Sequence, residues 1–279
     1  MQKHFKFKPF CRCLNPLNFL SCSVKMIRNL CLSACLILSI TFSYAQQQKK
    51  DLNIVFIGNS ITFGGGLADR KDAPPNEACT WLRNQKGVGE VNFSNQGVSG
   101  HTSVDVLPQT NTDFPRILKA AKSFANPNAN LVFSIKLGTN DSAVKGPKGA
   151  PVSKEDYYQN LKIITDSLMS AFPACKIIYQ QPIWYSPNTH NRSTYMQEGL
   201  DRLQTYGPQL QKLEKVYKKS HPNRVYMGDT KAFKFFKKHH LQYLSPEEGK
   251  FGAFYLHPNK EGAYLLGDFW GKAIYKALF

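Results

Sequence analysis

The chain has 279 residues, with 36 Lys and Arg against 19 Asp and Glu and a formal charge of +17. That length allows one large domain or two small ones. Of seven cysteines, Cys11, Cys13, Cys22, Cys31 and Cys35 crowd the start, leaving only Cys79 and Cys175. Two isolated cysteines exclude a disulfide framework, and no CxxC or His-rich spacing offers a zinc cluster. Buried free thiols are the expected state for both.

The N-terminal 45 residues read as a removable segment. Met26-Ile27-Arg28 is a short basic start, Leu30 to Phe42 is an apolar run broken only by small polar residues, and Ser43-Tyr44-Ala45 fits a small-x-small cleavage site. This is the layout of a secretory signal peptide cleaved after Ala45, with residues 1–25 as an upstream extension before a start at Met26. The apolar run is too short for a comfortable membrane span. The expected product, 46–279, is one exported domain, periplasmic or extracellular, with no transmembrane span. Leu32-Ser33-Ala34-Cys35 also matches a lipobox, which would anchor the protein through a lipid on Cys35. The apolar run continues past Cys35 through Leu36-Ile37-Leu38, which argues against that alternative.

Residues 1–45 carry six Lys or Arg and no acid, so 46–279 keeps thirty basic against nineteen acidic side chains, or +11. In an exported protein such a charge points to anionic polysaccharide or a membrane face rather than nucleic acid. A solvated lysine-rich surface with no partner is the simpler reading and carries more weight.

From residue 50 onward the pattern alternates. Strand-like runs fall at Ile54–Ile57, Val91–Ser94, Leu131–Leu137, Lys176–Ile183 and Val225–Met227. Helical spacing appears across Phe114–Phe124, Tyr157–Phe172, Leu200–Tyr217 and Ala263–Leu278. Alternation of this kind predicts a parallel sheet covered by helices on both faces. Three stretches after strand ends read as loops on one rim: Gly64-Gly65-Gly66 through Pro74-Pro75, Lys145 to Pro151, and Trp184 to His190.

The first strand runs into Gly58-Asn59-Ser60. Glycine permits a sharp turn, and a serine at the C-terminal end of a buried strand stands where open α/β folds place their sites. Ser60 is therefore a candidate nucleophile, although Asn59 or Ser60 could equally cap the following helix. The second strand leads into Gly97-Val98-Ser99-Gly100-His101, the third into Gly138-Thr139-Asn140-Asp141, and His257-Pro258-Asn259 precedes the last helix. In order these supply a nucleophile, a backbone N–H, an amide side chain and an imidazole. Acyl transfer needs such a set: serine requires a neighbouring base, and the oxyanion requires fixed donors.

These four blocks resemble blocks I, II, III and V of the SGNH (GDSL-like) hydrolase superfamily, in order and in spacing, over essentially the whole of 46–279. The resemblance implies an α/β fold, a three-layer α/β/α sandwich with a mostly parallel, flavodoxin-like sheet. It implies Ser60 and His257 as catalytic residues and Ser60, Gly100 and Asn140 as the oxyanion hole, with no metal and no cofactor. It also implies a serine hydrolase acting on ester bonds. Export and the basic surface turn that toward small acyl esters, acetyl above all, on a polysaccharide or glycoside. A lipid or lysophospholipid esterase or a thioesterase is the alternative within enzymes, and a non-catalytic carbohydrate-binding module the alternative outside them. The sequence argues against an oxidative or phosphate-transfer role, because Gly64-Gly65-Gly66 lacks the lysine and spacing of a P-loop.

Two positions depart from the family pattern. Asn59 stands where Asp is usual. More consequentially, Phe254 stands three residues before His257, where the family has the carboxylate that orients the imidazole. Either a backbone carbonyl holds the ring of a Ser–His dyad, or a carboxylate from elsewhere substitutes, with Glu247, Glu248, Asp229 and Asp141 as candidates, or catalysis is impaired. His101 reads as a pocket residue or a satisfied loop histidine, Asp141 as a brace for its own loop, His239-His240 as an exposed helix end, and Trp81 and Trp184 as core or pocket wall.

Overall fold

In the computed structural model residues 49–279 are described. The expected signal segment and the lipobox alternative lie outside them. Strands β1 (Lys50–Gly58), β2 (Val88–Gly97), β3 (Asn130–Lys136), β4 (Lys176–Tyr179) and β5 (Val225–Met227) form one sheet in the order β2-β1-β3-β4-β5. Every neighbouring pair in it is parallel. Ile54, Val55, Phe56 and Ile57 of β1 and Val132 and Phe133 of β3 are buried, as expected of central strands covered on both faces.

The helices follow in chain order: α1 (Ser60–Phe63), α2 (Pro74–Arg83), α3 (Ser103–Val106), α4 (Phe114–Lys122), α5 (Lys154–Ala171), α6 (Met196–Ser220), α7 (Ala232–Tyr243) and α8 (Lys260–Leu278). Helix α2 packs on α8, and α5 packs on α6. These two pairs cover opposite faces of the sheet, which gives the expected α/β/α sandwich. Phe56 stacks on Trp270 of α8, with ring centroids 6.1 Å apart, and Phe133 meets Phe172 at 5.7 Å from the other side. Among the described residues no helix is long and apolar enough to cross a membrane. Cys79 and Cys175 are buried free thiols.

The structure departs from the sequence reading in three places. The strand expected over Lys176–Ile183 ends at Tyr179, just before Gln180-Gln181-Pro182. Pro182 has no N–H for a ladder. Pro74-Pro75, read as the end of a loop, instead opens α2, with proline in the first turn, where its missing N–H costs nothing. His239 and His240 are half-buried rather than exposed: the His240 ring packs 4.8 Å from Trp184 and 5.1 Å from Tyr255. A further element is an antiparallel hairpin, β6 (Leu244–Gly249) and β7 (Gly252–Pro258), which carries His257.

The sheet order determines where a site can form. From β1 the chain crosses to β2 on one side; from β2 it returns past β1 to β3 on the other. The C-terminal ends of β1 and β3 therefore flank the switch point, where open α/β sheets bind ligands.

Candidate active site

One register line crosses the end of the sheet. Gly58 of β1 lies opposite Gly97 of β2 and Lys136 of β3. Ser60, Gly100 and Asn140 stand two, three and four residues beyond that line, so the topology gathers them before any side chain is considered. Glycine is required at both ends of the turn. A Cβ on Gly58 would lie 2.0 Å from Thr62 Oγ1, and one on Gly97 2.4 Å from the Phe63 amide nitrogen. With both absent, α1 settles directly on the strand ends.

Ser60 is the first residue of α1, and the Asn59 side chain caps that helix by accepting from the Ile61 N–H at 3.2 Å. The two readings of this stretch thus hold together: Asn59 is the cap, and Ser60 is left with its hydroxyl free for other use. The Ser60 N–H belongs to the first turn, where no intrahelical carbonyl is available. Its Oγ lies 2.7 Å from His257 Nε2.

His257 is held from the other side by Glu247, whose Oε1 lies 2.9 Å from Nδ1 and 3.2 Å from the His257 backbone nitrogen. A carboxylate accepts only, so Nδ1 carries the proton and Nε2 presents its lone pair to the Ser60 hydroxyl. Glu247 is directly opposite Phe254 in the β6–β7 register. The carboxylate has thus moved to the adjacent strand, and Phe254, 1% exposed, has joined the core. Below His257, Asn259 caps α8 by accepting from the Gly262 N–H at 2.9 Å, and its amide donates to the Gln242 carbonyl at 2.7 Å.

The other three candidate carboxylates are occupied elsewhere or face solvent. Asp229 accepts from the Lys231 and Ala232 N–H groups at the start of α7. Glu248 is exposed opposite Ala253. Asp141 accepts from the Ser103 N–H at 2.8 Å and the Gly138 N–H at 3.0 Å, tying the loop after β3 to α3. Burial pushes its carboxyl above the usual range, and these bonds oppose the shift.

Asn140 is fixed at both ends of its amide. Oδ1 accepts from the buried Tyr195 hydroxyl at 2.8 Å, and Nδ2 donates to the His101 carbonyl at 2.8 Å. That assignment leaves the second N–H of Nδ2 for a ligand. Gly100, the residue before His101, has φ +83°, and a Cβ there would meet nothing within 4 Å, so it is conformation rather than crowding that calls for glycine. The His101 ring turns to Asp113, with Nδ1 2.8 Å from Oδ2, and Arg116 pairs with the same carboxylate at 3.1 Å. His101 is therefore a satisfied loop histidine whose backbone anchors Asn140.

The three expected rim loops do adjoin these residues. A Cβ at Gly65 would lie 3.1 Å from Ser60 Cβ, and one at Gly66 3.7 Å from His257 Cβ. The Lys148 carbonyl accepts from Thr102 Oγ1 at 2.9 Å, beside Gly100 and His101. Ser186 exchanges bonds with Tyr255 of the hairpin, at 2.9 and 2.8 Å. Two surface depressions, about 620 Å³ beside Phe93 and Phe124 and about 610 Å³ beside Tyr226 and Phe269, do not include Ser60. Among the described residues no three His, Cys, Asp or Glu converge in a way that could hold a metal ion.

Sequence reading left Glu247 unranked among four candidates and missed Tyr195. The first needs the hairpin register. The second lies 55 residues from its partner, with no motif to flag it.

The model of the GDSL-like Lipase/Acylhydrolase family matches residues 56–265, and the chain belongs to that family. It is a carboxylic ester hydrolase by that membership. No curated protein matches it. Solved structures agree in fold. The lipase/acylhydrolase from Enterococcus faecalis is 19% identical, with 80% of this chain and 94% of that one covered and a TM-score of 0.53. A mutant of an acetyl-xylooligosaccharide esterase from Geobacillus Stearmophilus is 16% identical, with 84% and 97% covered and a TM-score of 0.55. A two-domain esterase active on acetylated mannans is 14% identical, with 86% of this chain and 53% of that one covered and a TM-score of 0.50.

Proposed function

We propose that the protein is an exported serine esterase that removes small acyl groups, acetyl above all, from a polysaccharide or glycoside. The observation that carries the chemistry is the unbroken relay from Ser60 Oγ through His257 to Glu247, at 2.7 and 2.9 Å. Ser60 Oγ attacks the ester carbonyl while His257 Nε2 takes its proton, and Glu247 steadies the imidazolium that forms. The oxyanion is received by the N–H groups of Ser60 and Gly100 and by Asn140 Nδ2, in the transition state where such donors matter most. The alcohol leaves with the proton from His257. Water, activated by the same imidazole, then frees the acid and restores Ser60.

Two observations support the substrate class. The Gly64–Gly66 backbone lies against both Ser60 and His257, which suits a short acyl group. Two proteins of the same fold are named for acetylated sugars. Export rests on the sequence of residues 26–45. The test is acetate release from acetylated xylan and mannan by residues 46–279, beside hydrolysis of p-nitrophenyl acetate and octanoate. The reading expects acetate release that is lost in Ser60→Ala; a preference for octanoate with no action on either glycan would replace it with the lipid reading.

A further inference from the structure

Lys136 ends β3 and is 1% exposed, yet no part of the mechanism above uses it. Its Nζ lies 3.0 Å from Thr139 Oγ1 and 3.5 Å from Asn59 Oδ1. No carboxylate lies within ion-pair distance of it among the described residues. The two partners are telling. Asn59 immediately precedes Ser60, and Thr139 immediately precedes Asn140. One amine thus spans the residue before the nucleophile and the residue before the oxyanion asparagine, across the gap between β1 and β3.

We infer that Lys136 is a positioning residue that sets the distance between Ser60 and Asn140. This rests on the roles proposed above for those two residues.

A buried amine is a costly way to fill space. A methionine would occupy a similar volume at no desolvation cost. Thr139 and Asn59 offer the amine uncharged acceptor oxygens, and Asn59 Nδ2 is itself buried without a hydrogen-bond partner. The charged groups that face Lys136 reduce to Asp141, whose carboxyl is already committed to Ser103 and Gly138. Burial outweighs that one negative neighbour and lowers the Lys136 amine to about 7. A link of this kind acts on geometry that is felt only once the oxyanion forms, so its removal lowers kcat and leaves KM alone.

The experiment compares Lys136→Met, Thr139→Val and the double variant on p-nitrophenyl acetate, with Ser60→Ala as the reference for the site itself. The expected result is a kcat lower by about 10- to 100-fold in Lys136→Met, with KM within about twofold, as for a displaced reacting group. Thr139→Val should lose less, and the double variant should lose no more than Lys136→Met alone, because both break one link. Melting of Lys136→Met at pH 7 should be no lower than the parent's. Parental kcat in Lys136→Met, losses that multiply in the double variant, or a kcat loss that tracks a fall in melting temperature would each overturn the inference. If Lys136→Met does not fold, Thr139→Val decides: reduced kcat at unchanged KM supports the link, and parental kcat overturns it. Turnover surviving in Ser60→Ala would instead overturn the reading of the site.

Discussion

Glu247 and Phe254 face one another across the β6–β7 hairpin, and between them they exchange two jobs. The strand position that would hold the carboxylate is given to the core, and the opposite strand supplies the acid to His257 at 2.9 Å. Phe254 is 1% exposed, so restoring the family residue there should do harm. Phe254→Asp removes a core aromatic and buries a carboxyl with no partner, for a loss of about 3 to 5 kcal/mol. Urea unfolding would measure it, and activity should not rise.

Tyr195 holds Asn140 by its carbonyl oxygen, which leaves an Nδ2 N–H for the oxyanion of the proposed mechanism. In Tyr195→Phe the ring remains and the 2.8 Å bond to Oδ1 goes. With about 1 to 1.5 kcal/mol of orientation lost, kcat should fall by about tenfold and KM should hold, because the free N–H of Asn140 is engaged only as the oxyanion develops. Asn140→Ala should cost about 100- to 1000-fold in kcat.

The buried lysine gives the fold a pH dependence of definite sign. Lys136 sits at about 7 in the folded protein against an ordinary 10.5. Between those values the unfolded chain binds the extra proton, so stability rises with pH, with a slope approaching about 1.4 kcal/mol per pH unit. Cys79, whose thiol burial pushes up, opposes this only above about pH 9. Urea midpoints from pH 6.5 to 8.5 should therefore climb in the parent and stay nearly flat in Lys136→Met.

The turn that presents Ser60 depends on a missing side chain. A Cβ at Gly58 would meet Thr62 Oγ1 at 2.0 Å and the Lys136 carbonyl at 2.8 Å. One of these is backbone and cannot swing away. Gly58→Ala should cost about 1 to 3 kcal/mol in denaturant unfolding and should lower kcat with it, since α1 must lift from the strand ends.

How much of this was legible in the sequence follows from what each residue depends on. Ser60, Gly100, Asn140 and His257 could be singled out as candidates because each sits a fixed few residues beyond a strand end or before a helix cap, and strand ends are marked by local chemistry. The sheet itself followed from alternation. Helix α2 was hidden by Pro74-Pro75, a pair that opens a helix as readily as it ends a loop. Glu247 could be suspected but not chosen, because its role is fixed by hairpin register, and the turn at Lys250-Phe251 carries only its flanking glycines as a signal. Tyr195 reaches a partner 55 residues away, and Lys136 reaches Asn59 across the sheet as well as Thr139 nearby; neither residue carries a motif that announces this.

The most direct measurement is kcat on p-nitrophenyl acetate for the parent, Ser60→Ala, Glu247→Gln and Glu248→Gln. Glutamine at 247 keeps the shape but can present an N–H to Nδ1, favouring the wrong tautomer. A comparable change in a catalytic triad costs about 10⁴-fold. The relay described here predicts no turnover above background in Ser60→Ala, a fall of about 100- to 10,000-fold in Glu247→Gln, and parental kcat in Glu248→Gln. Parental kcat in Glu247→Gln, or a fall in Glu248→Gln as large, would contradict it.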